Sequence, residues 1–172
     1  MIDSVIRTAV AGDASEIVRI YNHYVLKTII TFEEEAISTA EMARRIEEVH
    51  SVSLPWLVAE RESVIVGYAY ATKWKVRTGY RFSTEVTAYV DPASAGLGIG
   101  SQLYQKLLPM LQERGIHAAM GGIALPNEAS VAFHEKFGFS KVAHFKEVGF
   151  KFNKWIDVGY WQRMLPGTDS TK

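Results

Sequence analysis

The most informative part of the sequence is residues 83–115, STEVTAYVDPASAGLGIGSQLYQKLLPMLQERG. Its first eight residues are largely β-branched and apolar and predict a strand, which stops at Asp91-Pro92 because proline cannot donate to a sheet ladder. Three glycines lie in the loop that follows: Gly96, Gly98 and Gly100. Three leucines then recur at helical spacing: Leu103, Leu107 and Leu111. This stretch therefore predicts a strand, a glycine-rich loop and an amphipathic helix in direct succession.

The chain before this stretch predicts a strand, two helices and a hairpin. A short β-branched strand precedes a helix that begins at Asp13, and Ser38 opens a capping-box pattern for a second helix. The segment between the helices, 28–36, shows no period, and such an irregular segment is suited to lining a site. Two apolar runs, 54–60 and 64–74, stand three residues apart and predict an antiparallel hairpin.

The chain after it predicts a buried strand at 117–125, a helix at 128–138 and two final strands at 141–152 and 154–165. Strands thus meet in hairpins at both ends of the chain, whereas single helices bridge strands in the middle. This order predicts an α+β, or mixed α/β, fold of three layers, with one central and mostly antiparallel mixed sheet flanked by helices.

Length and composition narrow the class of protein. A chain of 172 residues, 48% of them hydrophobic, is long enough for one well-filled core, and we expect a single domain over 1–165 and a disordered tail over 166–172. The 19 basic and 19 acidic residues give a formal net charge of zero, so no overall field attracts nucleic acid or an anionic membrane. With no cysteine, no apolar run of membrane-spanning length and no signal-peptide pattern, we expect a cytoplasmic protein with neither nucleic-acid nor membrane partner.

Several familiar kinds of site do not match the sequence. The five histidines show none of the close pairings expected of metal ligands on one helix face, so no metal is predicted. No G-x-S-x-G nucleophile elbow occurs, and the last glycine of the loop is not followed by the Lys-Ser or Lys-Thr of a P-loop. A dinucleotide-binding fold places its glycine loop after the first strand, whereas this loop lies in mid-chain after hairpins.

The glycine loop is a candidate pyrophosphate site, and Glu85 is a candidate base beside it. Glycines let the backbone approach a phosphate, and a helix amino terminus offers unpaired N–H groups, although such a loop can equally be a structural turn. Glu85 lies in the strand just before the loop, where desolvation would raise its pKa and suit it to accept a proton near neutral pH. An edge-strand carboxylate facing solvent is the alternative.

Two further polar residues have ordinary explanations of their own. Asn127 precedes the helix at 128–138, and an N-cap role accounts for it fully. His134 lies within that helix, where a lone histidine is more often structural than catalytic. Neither residue alone indicates a function.

Taken together, the order of elements with D-P, G-L-G-I-G and N-E-A-S-V-A-F-H-E-K-F-G-F resembles the GNAT superfamily of N-acetyltransferases over nearly the whole chain. Within that superfamily, I-Y-N-H-Y-V, T-F-E, Y-R-F-S-T-E-V and V-G-F-K-F-N-K-W-I-D are similar to the phosphinothricin and methionine sulfoximine acetyltransferases. The resemblance implies acetyl transfer to the amino group of a small amino acid or analogue.

The resemblance also implies acetyl-CoA as the co-substrate and assigns roles to residues. Glu85 would take the ammonium proton of the acceptor, and His134 would protonate the departing thiolate. The backbone of Ala88, Tyr89 and Val90 would pair with pantetheine. The residues expected to hold the pyrophosphate are Gly96, Leu97, Gly98, Ile99, Gly100 and Ser101. Asn127 would bind the cofactor or the acceptor.

An amino-acid acceptor of the kind that the resemblance implies carries a carboxylate, which needs a cation to bind it. The resemblance also implies apolar walls around the acceptor. Arg81 is the first candidate cation, with Arg77 and Lys75 as alternatives, and the walls would be Phe32 and Trp74. The subgroup forms dimers, which implies a homodimer in which Lys151 and Trp155 reach a neighbouring subunit's site.

The sequence departs from the family pattern at the start of the loop. Ala95 stands where the superfamily usually has Arg or Gln, and Leu97 where close relatives often have a second basic residue. We therefore expect weakened CoA binding, held by backbone N–H groups and the helix dipole. Two alternatives stay open: a CoA-binding regulatory protein without turnover, and an acetyltransferase acting on a protein or polyamine amine.

Overall fold

The computed structural model describes residues 4–167, and within them a seven-stranded sheet runs in the order β1-β2-β3-β4-β5-β7-β6. Neighbouring strands are antiparallel except β4 and β5, which are parallel. The strands are β1 (Val5–Thr8), β2 (Trp56–Arg61), β3 (Val64–Lys73), β4 (Ser83–Val90), β5 (Ala118–Leu125), β6 (Ser140–Lys151) and β7 (Lys154–Met164). The predicted mixed, mostly antiparallel sheet is confirmed.

Four α-helices cover the two faces of this sheet: α1 (Ala14–Lys27), α2 (Thr39–Ser51), α3 (Ile99–Glu113) and α4 (Glu128–Lys136). A Cβ on Gly67 of β3 would meet Ile99 of α3, so Gly67 faces α3. The next residue, Tyr68, points the other way and packs on Tyr89, which contacts Tyr21 of α1. Helices α1 and α3 therefore lie on opposite faces, as the three-layer prediction requires.

The helices form for reasons visible in the sequence. Ser38 caps α2, because its hydroxyl accepts a hydrogen bond from the Glu41 N–H at 3.1 Å. In α3, the predicted stripe of leucines is fully buried against the sheet, and Gly98, with φ of 80°, ends the loop in a conformation that favours glycine. The helix consequently begins at Ile99, directly after this glycine.

The parallel strands β4 and β5 pair over three residues and then separate. The paired positions are Ser83 with Ala118, Thr84 with Ala119 and Glu85 with Met120. Beyond them, the rest of β4 stays hydrogen-bonded to β3 and the rest of β5 to β7. A wedge therefore opens between 86–90 and 121–125, where sheet pairing leaves backbone N–H and C=O groups without a partner.

The carboxyl-terminal hairpin of β6 and β7 carries a large exposed apolar surface. In β6 the register shifts between Phe145 and Gly149, so the residues between them bulge from the ladder. Exposed apolar side chains are Val142, Phe145, Val148, Phe150, Phe152 and Trp155. The tail predicted at 166–172 lies outside the described residues from 168 onward. Among residues 4–167, no helix is both long and apolar enough to cross a membrane.

The contact between Gly67 and α3 gives a testable stability prediction. In Gly67→Ala the new Cβ would lie 2.9 Å from Ile99 Cγ2 and 3.1 Å from the Tyr89 carbonyl oxygen. Overpacking of this kind should lower the free energy of unfolding by about 1–3 kcal/mol in urea titration. The matched control is Gly79→Ala, whose Cβ meets nothing within 4 Å. Equal unfolding midpoints for the two variants would contradict close packing of α3 on β3.

Candidate active site

A cavity of about 1010 Å³ opens on the face of the sheet that carries α1. The segment between α1 and α2, the strands β3 to β5 and the hairpin of β6 and β7 all contribute to its walls. Most of the lining is aromatic or aliphatic, including Phe32, Tyr70, Trp74, Phe145, Phe150 and Tyr160. Among the lining residues within 4–167, Lys75 and Glu85 are the only members of the Lys, Arg, Asp and Glu classes.

Glu85 stands at the point where β4 and β5 separate. Its strand neighbours are Thr72 on β3 and Met120 on β5, so its backbone belongs to the last paired position before the wedge. A Cβ on Gly122 would lie 3.0 Å from the Glu85 Oε1, so a glycine there leaves the room that the carboxylate needs. Burial raises the pKa of Glu85, and the ammonium of Lys75 partly offsets that rise.

The ring of Tyr160 on β7, like the Glu85 carboxylate, lies directly against Gly122. The same Cβ on Gly122 would lie 3.2 Å from the ring of Tyr160, and that ring packs edge-on against Trp74 at 5.4 Å between centroids. Burial and the charge of Glu85 both raise the pKa of the Tyr160 hydroxyl. Sequence analysis missed Tyr160, because only the placement of β7 beside β5 brings it to Glu85.

The glycine loop lies at the end of the wedge and leads into α3. Gly96 and Gly98 both have positive φ, and the space that their side chains would occupy is open to 4 Å. The N–H groups of the first turn of α3 lack intrahelical acceptors, and no side chain caps this end of the helix. These features fit a bound pyrophosphate, and Ala88, Tyr89 and Val90 lie where β4 borders the wedge.

A cation approaches this loop from α4, although Ala95 and Leu97 supply none. The ammonium of Lys136 donates a hydrogen bond to the Ser101 hydroxyl at 3.2 Å. Lys136 therefore places a positive charge at the amino terminus of α3, where a phosphate would lie. Sequence analysis missed this residue because 35 positions separate it from Ser101. Asn127 begins the same helix α4 and caps it by accepting from the Ser130 N–H at 3.1 Å.

His134 lies on the opposite side of β5 from the cavity. A Cβ on Gly121 would be 2.5 Å from its Nε2, whereas the next residue, Gly122, faces Glu85. Its Nδ1 lies 2.8 Å from the Ser130 carbonyl, which can only accept, so Nδ1 carries the proton and Nε2 accepts from the Tyr104 hydroxyl at 3.2 Å. Burial lowers the pKa of His134, which favours this neutral form.

The residues predicted for the acceptor divide into two groups. Phe32 and Trp74 line the cavity as predicted walls. Arg77 and Arg81 do not line the cavity. The Arg81 guanidinium stacks on the Phe82 ring at 4.3 Å and donates to the Thr78 carbonyl. Arg77 lines a neighbouring groove. The cation of the cavity is Lys75, which sequence analysis had placed only as an alternative.

Within residues 4–167, no cluster of three or more His, Cys, Asp or Glu side chains is arranged to hold a metal ion.

Comparison with known proteins places this geometry in a family. The family model for an acetyltransferase (GNAT) domain matches residues 6–159. The chain is 38% identical to a phosphinothricin N-acetyltransferase of Streptomyces viridochromogenes, over 92% of this chain and 86% of that protein. It is 34% identical to an L-methionine sulfoximine/L-methionine sulfone acetyltransferase of Salmonella typhimurium, over 93% and 94% of the two chains. The chain belongs to the GNAT acetyltransferases.

A solved structure extends the comparison to the co-substrate. A GNAT-superfamily phosphinothricin acetyltransferase of Sinorhizobium meliloti, in complex with acetyl-CoA, has a TM-score of 0.93 and 36% identity over 98% of this chain and 91% of that chain. The predictions of an N-acetyltransferase and of acetyl-CoA as its co-substrate are confirmed. In this GNAT chain the wedge and the glycine loop are the features that fit acetyl-CoA.

The position of Lys136 predicts its contribution to CoA affinity. Lys136→Met should raise the dissociation constant for CoA several-fold, on the order of 1 kcal/mol, because one cation is lost beside the helix terminus. The effect should shrink as salt rises, because salt screens an exposed charge. Isothermal titration calorimetry at two salt concentrations measures both quantities.

The matched control is Lys73→Met, because Lys73 is exposed and pairs with Thr84, at the end of β4 away from the loop. Equal CoA affinities for the two variants would show that Lys136 does not contact the cofactor.

Proposed function

We propose that this GNAT chain transfers an acetyl group from acetyl-CoA to the α-amino group of a small amino acid or analogue of the phosphinothricin or methionine sulfoximine type. The observation that carries the proposal is that, within residues 4–167, the cavity wall contains one carboxylate, Glu85, and one cation, Lys75, among mostly aromatic and aliphatic side chains. An amino acid presents the complementary pair, an ammonium and a carboxylate. The acceptors named for the Streptomyces and Salmonella relatives are molecules of this kind.

In the proposed reaction, Glu85 accepts a proton from the acceptor ammonium, directly or through water. The free amine then attacks the thioester carbonyl carbon and the carbon–sulfur bond breaks. The nitrogen gives up its second proton and the departing thiolate takes up one, so the products are the N-acetylated acceptor and coenzyme A. The raised pKa of Glu85 makes its carboxylate a stronger base than an exposed glutamate. Its place at the mouth of the wedge sets this base beside the strands 88–90 and 121–125, which would hold the pantetheine arm.

The cofactor contacts follow from the wedge and the loop. Ala88, Tyr89 and Val90 would pair with pantetheine through their backbone, and Asn127 would contribute from the start of α4. The pyrophosphate would lie on the N–H groups of the loop and of the first turn of α3, with Leu97 contributing only its backbone. Lys136 would supply the charge that Ala95 and Leu97 lack.

The assignment of His134 as the general acid stays a prediction. In the neutral form described above, its one N–H points at a backbone carbonyl and its other nitrogen accepts from Tyr104. A thiolate is also a fairly stable leaving group near its reference pKa. We therefore expect loss of His134 to cost less activity than loss of Glu85.

Lys75 is the proposed ligand of the acceptor carboxylate, in place of Arg81 or Arg77. Its ammonium lies 4.8 Å from the centroid of the Trp74 ring, at the rim of the cavity. Phe32 and Trp74 would form apolar walls around the acceptor side chain. Arg77, in the adjoining groove with Lys73 and Lys75, would add a positive field at the entrance.

We also propose that the chain forms a homodimer and is located in the cytoplasm. Each subunit would consist of a single domain over 1–165. Phe152 and Trp155 at the turn of the hairpin of β6 and β7 are exposed and do not line the cavity, and Trp155, at 64% exposure, supports a covered surface there. The earlier expectation for Lys151 is wrong, because this side chain is buried in its own subunit. The neutral net charge gives no support to a nucleic-acid or membrane partner.

The Glu85→Gln variant tests the reaction and the base together. It should lower the rate of amine-dependent CoA release by roughly 10²- to 10⁴-fold, because the amide cannot accept the ammonium proton, and it should leave the CoA dissociation constant nearly unchanged. Release of free thiol is followed with methionine sulfoximine, phosphinothricin, the proteinogenic amino acids, a polyamine and a short peptide. The control, Glu113→Gln, removes an exposed carboxylate at the end of α3.

An unchanged rate in Glu85→Gln would remove Glu85 as the base. CoA binding without thiol release for any amine would support the regulatory alternative that Ala95 and Leu97 suggest. Release with the peptide or polyamine alone would move the acceptor to the other alternative class.

Lys75→Met tests the acceptor contact and the tuning of Glu85. Loss of a charge-assisted hydrogen bond should raise the KM for an amino acid roughly tenfold or more, with no comparable change for an amine that lacks a carboxylate. The Lys75 cation favours the ionised carboxylate, so its removal raises the pKa of Glu85 further. The acid limb of the kcat profile should therefore shift to higher pH. A shift to lower pH, or an equal KM change for both amines, would contradict this role.

A further inference from the structure

The segment between α1 and α2 lines the cavity although it contains no helix or strand. Ile30, Thr31 and Phe32 all belong to the cavity wall. Such a segment has no ladder to fix its backbone, so its position depends on contacts from other elements. Three such contacts come from the helices: Tyr21 with Thr31, Arg45 with Glu33, and Asn22 with Ile37.

A fourth contact comes from the end of β6, where Lys151 brings a buried ammonium to the segment. Lys151 is 1% exposed, and its ammonium donates to the carbonyls of Val25 at 2.6 Å and Thr31 at 2.7 Å. Lys151 forms no ion pair within residues 4–167. Burial accordingly lowers its pKa, and the charges of Glu34 and Glu33 oppose that shift.

A buried ammonium is costly unless its donors are satisfied, so its partners identify what it does. The Val25 carbonyl belongs to the last turn of α1, where carbonyls lack intrahelical donors and the helix dipole favours a cation. The Thr31 carbonyl belongs to the irregular segment. One ammonium thus joins the end of α1 to the backbone of the cavity wall.

The adjoining residues of β6 hold the same segment by packing. A Cβ on Gly149, two residues before Lys151, would overlap the ring of Phe32. Gly149 and Phe150 themselves line the cavity. The end of β6 therefore contacts both the Thr31 carbonyl and the Phe32 ring.

We propose that Lys151 is a positioning residue for the acceptor pocket: its ammonium fixes Thr31 and Phe32 against the end of β6 and so sets the shape of the wall that the acceptor contacts. This inference rests on the proposed function, since it assumes that the cavity holds the acceptor. Lys151 touches neither acceptor nor cofactor in this arrangement. Its loss should therefore affect acceptor binding and leave cofactor binding intact.

The test uses Lys151→Met, which keeps a long side chain and removes the three donors. The KM for the preferred amino acid should rise about tenfold, corresponding to about 1.4 kcal/mol, while the CoA dissociation constant stays unchanged. Hydrogen–deuterium exchange should become faster at the amides of 28–33, and no faster in β4 or α3. Lys154→Met is the control, because Lys154 is exposed and lies three residues further along the same hairpin.

A second variant keeps the inference testable if Lys151→Met does not fold. Gly149→Ala displaces the Phe32 ring without removing a charge, and it should give the same split, a higher KM for the amino acid with unchanged CoA affinity. Unchanged KM and unchanged exchange at 28–33 in a folded Lys151→Met, or an equal loss of CoA affinity, would overturn the inference. If Lys151→Met does not fold, an unchanged KM in Gly149→Ala would overturn it.

The exchange measurement separates this inference from the proposed function. If the wild-type chain releases no CoA with any amine, the proposed acetyl transfer fails. Faster exchange at 28–33 in Lys151→Met would still support the positioning contact in that case, whereas unchanged exchange would overturn it too.

Discussion

The site depends on the separation of β4 and β5 after three paired residues. In a regular parallel pair, the N–H and C=O groups of 86–90 and 121–125 would bond to each other. Here each strand keeps its outer neighbour, β3 or β7, and the inner groups lie outside the sheet ladder, where the Val90 carbonyl accepts a hydrogen bond from the Tyr24 hydroxyl. Glu85 occupies the last paired position, so the register places the proposed base at the mouth of the wedge.

Two adjacent glycines, Gly121 and Gly122, let side chains on both faces of β5 pack directly against its backbone. Gly121 leaves room for the His134 ring on the helix side, and Gly122 leaves room for Glu85 and Tyr160 on the cavity side. Successive residues of a strand point to opposite faces, so one Gly-Gly pair serves both layers. Any larger side chain at Gly122 would have to displace either the carboxylate or the Tyr160 ring.

The local parts of this arrangement were predictable from the sequence, and the parts that depend on distant contacts were not. Strand 83–90, the positive-φ glycines and the leucine stripe of α3 follow from short-range patterns, and Glu85 stood out because it interrupts an apolar strand. Lys75 lines the cavity because loop 74–82 folds over it, and Lys136 reaches Ser101 because helix α4 packs beside the start of α3. Tyr160 required the insertion of β7 between β5 and β6, which no local period specifies.

Regular elements form the proposed coenzyme A site, whereas irregular segments form much of the proposed acceptor site, and this division has a physical reason. Coenzyme A is the constant part of the reaction, and strands, a helix terminus and backbone N–H groups suit it because they depend little on side chains. The cavity proposed for the acceptor has walls from the sheet as well, but it also uses the irregular segment 28–38, the loop that carries Lys75 and the bulge of β6 between Phe145 and Gly149. These pieces have no ladder of their own, so side-chain contacts must fix them, and Lys151 is the most deeply buried of those contacts. Substitution in these pieces can therefore change the acceptor without disturbing the sheet that holds acetyl-CoA.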